Sequence, residues 1–154
     1  MIKKIIYNSK LAHLILWANY TTITLTAFVF TEFKDKNEMP QSVRNHECTH
    51  ARQWIEMFFA GWVIMFILQL IFDISAWWYI LPLFSFYIWY VLEWLFKSLF
   101  KLKNAYKDIS FEKEAKASEN DNCYLENMGY FEWLKYYGKN FLLGTMENNC
   151  HFHG

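Results

Sequence analysis

Two apolar runs separated by three residues constrain this chain more than any other feature. Trp54 to Phe72 holds only Glu56 and Gln69 as strongly polar residues. Ala76 to Phe96 is dense in Trp and Tyr and is interrupted by Pro82 and Glu93. At about 1.5 Å per residue the first run covers roughly 28 Å, close to the hydrocarbon thickness of a bilayer. Joined by Asp73-Ile74-Ser75, the two runs predict an antiparallel helical hairpin. The chain has 154 residues, 55% of them hydrophobic and 21% aromatic. That length suits one domain and leaves too few other residues to cover both helices, so the expected partner is a lipid bilayer.

Charge placement orients the hairpin. Trp77, Trp78 and Tyr79 sit near its tip, and Trp54 and Trp94 near its other end, like two aromatic belts. Lys97, Lys101, Lys103 and Lys107 follow the second run, Arg44 and Arg52 precede or open the first, and the tip has no basic residue. By the positive-inside rule both ends of the hairpin face the cytoplasm. Glu56 and Glu93, about one turn inside each span, would lie on that side as carboxylates reached by water. The 15 basic and 15 acidic residues balance, and no basic block marks a nucleic-acid site, so that partner is set aside.

The apolar stretch Leu11 to Phe30 follows a basic start, as a signal peptide or anchor would. His13, Asn19, Thr21, Thr22, Thr24 and Thr26 argue against it, because they are costly at bilayer depth. Thr22-Ile23-Thr24-Leu25-Thr26 alternates polar with apolar and is rich in β-branched residues, so residues 20–33 are predicted as a strand or short hairpin. His13 is expected to be a polar interface residue. Cys48, Cys123 and Cys150 are odd in number and form no C-x-x-C pair, so they are read as reduced thiols rather than a disulfide framework.

Pro40 and Ser42 open a predicted helix that continues unbroken into the first apolar run, over residues 42–72. Its head reads His46-Glu47-Cys48-Thr49-His50. A shuffled chain of this composition would show H-E-x-x-H only about 0.01 times, so chance is a poor explanation. Residues four apart share a helix face, so both imidazoles can reach one metal with Glu47 beside them as a base. Cys48 points to another face and reads as packing.

A catalytic zinc needs three protein ligands and an open position. After the hairpin returns, the segment Ile109-Ser110-Phe111-Glu112-Lys113-Glu114-Ala115-Lys116-Ala117-Ser118 supplies carboxylates at the start of a helix predicted over 110–127. Glu112 and Glu114 are the candidates. The second apolar helix is predicted over 76–100, and an aromatic C-terminal helix over 130–143. The tail residues Cys150, His151 and His153 are also metal-type, but a terminal segment frays and they are read as adventitious.

With Gln53 the motif extends to His-Glu-x-x-His-x-x-Gln, followed by the hairpin and then Ala-Tyr-x-x-Ile-x-Phe-Glu-x-Glu-Ala over residues 105–115. This order, across roughly residues 20–140, resembles a group of short, mostly uncharacterised bacterial proteins of the zincin superfamily, gluzincin type. The resemblance implies a mainly α, membrane-associated zincin-like fold and a bacterial inner-membrane location. It implies Zn2+ held by His46, His50 and Glu114, with Glu47 as catalyst. In that register Ser118 stands where the family pattern has a carboxylate turned toward the first histidine. A strand beside the motif helix binds extended substrate in such folds, and Ile23–Phe30 fits that position. The expected activity is a membrane-embedded zinc metallopeptidase cutting a peptide or protein substrate at the cytoplasmic membrane face. The alternative is a non-catalytic zinc-binding protein acting in partner recognition. Arg44, Tyr106 and Tyr124 are equal candidates to stabilise the oxyanion.

Overall fold

The alternating threonines do fold as strands, in the hairpin form of the expected strand or short hairpin. The computed structural model describes residues 4–16, 20–100, 105–121 and 123–137. β1 (Lys4–Ile6) precedes a short helix, α1 (Lys10–Ile15), and then β2 (Thr22–Leu25) and β3 (Phe28–Thr31) form a tight hairpin. The sheet order is β1-β3-β2, with β1 parallel to β3 and β2 antiparallel to it. The predicted stretch breaks because Thr26 turns to φ 58, a left-handed conformation that is costly for a β-branched residue. The Thr26 N–H donates to the Tyr87 hydroxyl at 2.9 Å, and its own hydroxyl donates to the Leu25 carbonyl. Val29 and Thr31 are buried on the face of the sheet that meets the long helix.

That helix, α2 (Gln41–Ile71), is unbroken, and its N-cap is Pro40. A 3-10 turn over Ala76–Ile80 leads into α3 (Leu81–Phe100). The chain is mainly helical, and α2 and the stretch from Ala76 to Leu99 are each long and apolar enough to cross a membrane. The two arms meet closely at Gly61, where an added Cβ would lie 3.2 Å from the Cα of Pro82. Beside it the Ser85 hydroxyl donates to the Met57 carbonyl, and Trp54 Nε1–H donates to the Leu83 carbonyl. Large apolar side chains from Phe59 to Phe72 and from Trp77 to Leu99 remain exposed.

The return segment is shorter in helix than the sequence predicts. α4 spans Ser110–Ser118, and only a single turn, α5 (Tyr124–Asn127), follows. Asn45 anchors this end: its Nδ2 donates to the carbonyl of Ser118, the last helical residue, and to that of Asp121 beyond it. In place of the helix predicted over 130–143 there is a 3-10 turn at Glu132–Tyr136, and residues 138–143 lie outside the described part. So do Lys101, Lys103 and the Cys150, His151 and His153 tail.

Glu56 and Glu93 are not water-facing carboxylates but buried ties between the hairpin and the return segment. Glu93 accepts the Ser110 N–H and hydroxyl at 2.8 and 2.7 Å, and pairs with Lys97. It thereby satisfies the first backbone N–H of α4, which has no partner within the helix. Glu56 accepts the Phe131 N–H at 3.0 Å and pairs with Arg52. Around these ties Trp54, Phe86, Ile109, Phe111 and Trp133 form one core. Phe111 lies 4.6 Å from Trp133 and 4.8 Å from Phe86, ring centre to ring centre. Burying such a ring contributes about 1.5–3 kcal/mol. α4 is therefore pinned to α2 and α3 by packing and by carboxylates together.

Candidate metal centre

One turn of α2 places His46 and His50 on one face, with their Nε2 atoms 3.2 Å apart. The pinned α4 brings Glu112 to them. Its Oε1 lies 3.4 Å from His50 Nε2, and its Oε2 lies 3.8 Å from His46 Nε2. The candidate ligand atoms of the three residues lie within 4.8 Å of one another.

Glu114, the expected third ligand, does not join them. Positions two apart on a helix differ by about 200°, so one face of α4 cannot present both carboxylates to the histidines. Glu112 takes that place. Glu114 is 0% exposed and accepts from Gln53 Nε2 at 2.7 Å and from the Tyr124 hydroxyl at 3.1 Å. It acts one step back. Gln53 Nε2 faces two acceptors, the Glu114 carboxylate and the Phe111 carbonyl, which fixes the amide and leaves its Oε1 toward His50 Nδ1 at 2.8 Å. His50 therefore engages Gln53 through Nδ1 and presents Nε2, the other ring nitrogen, to the cluster.

His46 is fixed the same way from the far end of α4. Its Nδ1 lies 2.9 Å from Glu119 Oε1, so Nδ1–H donates to a carboxylate and Nε2 is the nitrogen that faces the cluster. Ser118 instead bonds to the Thr49 hydroxyl at 3.0 Å. A carboxylate does face the first histidine, but it is Glu119, beyond the position four after Glu114 where the family pattern has it. Glu112 and Glu119 are two helical turns apart, a spacing the sequence carried and the Glu114 register concealed. Two imidazole nitrogens and a carboxylate this close together could hold a metal ion between them, and an N2O donor set is one that zinc accepts.

Tyr90 from α3 and Tyr106 both donate to Glu112 Oε1, at 2.7 and 3.0 Å. Burial alone would raise the Glu112 pKa. The hydrogen bond and charge of His50, with help from Tyr90 and His46, hold it down at about 2. Burial, with the Glu112 charge, pushes Tyr106 up to about 12. For Glu114 burial wins over the bonds from Gln53 and Tyr124 and raises it to about 7.

Glu47 sits beside the cluster on the strand side, where the Thr24 hydroxyl donates to its carboxylate at 2.6 Å. Of the three oxyanion candidates only Tyr106 reaches the cluster; Tyr124 serves Glu114, and Arg44 bonds to none of the three cluster residues. His13 pairs with Glu32 at 3.3 Å on the surface. Cys48 is buried and packs with Val29 and Ala51, as a packing residue should. Sequence reasoning missed Glu119, Tyr90 and the Gln53–Glu114 relay; only the Glu119 spacing left a signal in the chain. No protein-family model, curated protein or solved structure matches this chain.

Proposed function

We propose that this chain is a membrane-embedded, zinc-dependent peptidase with its site at the cytoplasmic membrane face. The observation that carries the reading is the convergence of His46, His50 and Glu112 beside Glu47. Zinc held by those three would lower the pKa of a water toward ~7 and polarise a scissile carbonyl. Glu47, aimed by Thr24, takes the water's proton during attack and passes it to the leaving amine. Tyr106 and Tyr90 carry the hydroxyls at the cluster and are the candidates to face the developing oxyanion.

The substrate-binding element in this reading is β2, which ends the sheet order and, among the described residues, has an unpaired edge. The Glu32 N–H donates to the Thr21 carbonyl at 3.0 Å, so hydrogen-bonded pairs recur at Ile23–Phe30 and Leu25–Phe28. That leaves the N–H and C=O of Thr22 and Thr24 for an extended peptide. Only β2 has this role; β3, the other half of the expected strand, lies in the middle of the sheet. Arg44, Arg52 and Lys97 at the open end of the hairpin support the cytoplasmic orientation.

The test is to purify the protein in detergent, measure bound zinc and assay peptide cleavage. Wild-type protein is expected to bind one zinc and cleave, and Glu47→Gln to keep the zinc and lose cleavage. Undiminished cleavage by Glu47→Gln would sink the mechanism. Zinc without cleavage in the wild type would favour the non-catalytic, partner-binding alternative.

A further inference from the structure

α3 has two different sides at the level of the metal centre. Its inward side contributes Phe86, whose ring centre lies 6.4 Å from that of His50, and Tyr90, which bonds to Glu112. Glu93 and Lys97 also turn inward, paired with each other and tied to α4 and to the Asp108 carbonyl. Its outward side exposes Phe84, Ile88, Val91, Leu92, Leu95 and Leu99. Both charged residues of α3 being inward, that outer face carries no charge. It bears a shallow groove lined by Leu81, Phe84, Tyr87, Ile88, Val91 and Leu92.

Length says what covers this face. At about 1.5 Å per residue, Ile71 at the tip lies roughly 31 Å from His50, which already equals one hydrocarbon thickness. The outward apolar face of α3 does not stop at that level. It continues from Tyr90 to Leu99, about 13 Å further, without a break. A span longer than the hydrocarbon core tilts or draws its surroundings into the interface. Either response lowers the metal centre, because α3 is the wall that joins it to the apolar surface.

We infer that the metal centre lies at bilayer depth with α3 alone between it and lipid, and that its substrate is a membrane-anchored chain rather than a free peptide. This rests on the peptidase reading for the substrate class, but not for the depth. A scissile bond close to a transmembrane segment reaches a sunken site by lateral diffusion, and anchoring raises its effective concentration there.

Two measurements test it. Nitroxides are placed at Leu92→Cys and Leu95→Cys on the outer face of α3, in lipid vesicles, with the unsubstituted protein as labelling background. Ile67→Cys marks the hydrocarbon and Tyr130→Cys the exposed return segment. Collision with oxygen should exceed collision with a water-soluble nickel chelate at 92 and 95, as at 67. A water-like profile at 92 and 95, matching 130, overturns the depth. The second measurement compares one peptide sequence free and fused to a single transmembrane helix in the same vesicles. Anchoring should raise kcat/KM by at least about tenfold. Equal rates overturn the substrate class. Failure to cut either one instead defeats the peptidase reading and the substrate class with it, while the label profile still decides the depth.

Discussion

The Nδ1 of His46 lies 2.9 Å from the carboxylate of Glu119, a residue 73 positions later in the chain. This contact ties the first histidine of the motif to the far end of α4, and it sets which ring nitrogen is left for a metal. Glu119→Ala should weaken zinc binding by about 10- to 100-fold while leaving the fold intact. Competition with a calibrated zinc chelator measures this, and an unchanged affinity would remove Glu119 from the site.

Glu112 and Glu114 separate cleanly by their partners. Glu112→Gln is expected to abolish tight zinc binding, since it removes one of three ligands. Glu114→Gln should retain zinc, because a glutamine oxygen can still accept from Gln53 and Tyr124. Elemental analysis of both purified variants decides between them; zinc lost from Glu114→Gln alone would restore the ligand expected from the sequence.

Glu114 also predicts a pH dependence for the metal-free protein. Burial raises its pKa from 4.5 to about 7 in the fold. Between those values the unfolded chain has released a proton that the folded chain still holds. Stability from this group therefore falls as pH rises from 4.5 to about 7, and is level on either side. Glu112 acts in another window: its pKa is lowered to about 2, so its contribution is complete above 4.5 and is lost as pH falls toward 2. Thermal unfolding across pH should show the upper slope flattened in Glu114→Gln and the lower one unchanged.

Gly61 is a packing requirement of the hairpin. A Cβ there would stand 3.2 Å from the Cα of Pro82, which is backbone and cannot swing aside. Gly61→Leu should destabilise the protein by about 1–3 kcal/mol through overpacking. A lowered midpoint of thermal unfolding in detergent checks this, and an unchanged midpoint would mean that the two arms can separate at no cost.

What could be read from the amino-acid order was whatever depends on nearest neighbours along the chain. The period of the apolar residues yields α2 in one piece, including the motif helix running into the first apolar run. The i, i+4 spacing puts His46 and His50 on one face, because helix geometry alone sets that relation. The alternating threonines yield strands, though not the turn at Thr26, whose left-handed backbone is held by Tyr87 across 61 positions of sequence.

The third carboxylate was a different kind of question. Glu112 and Glu114 both lie in the right segment, and choosing between them requires the rotation of α4 about its axis. That rotation is set by Phe111 in the aromatic core, by Glu93 on Ser110 and by Asn45 at the other end of the helix. The same long-range contacts convert Glu56 and Glu93 from water-facing carboxylates into buried ties. Local sequence determined the long helices, the strands and the shared face of the two histidines, but not the ends of α4 or the 3-10 turn at Glu132–Tyr136. Only tertiary packing decided which side of α4 meets them, because helix rotation is fixed by contacts with residues far away in the chain.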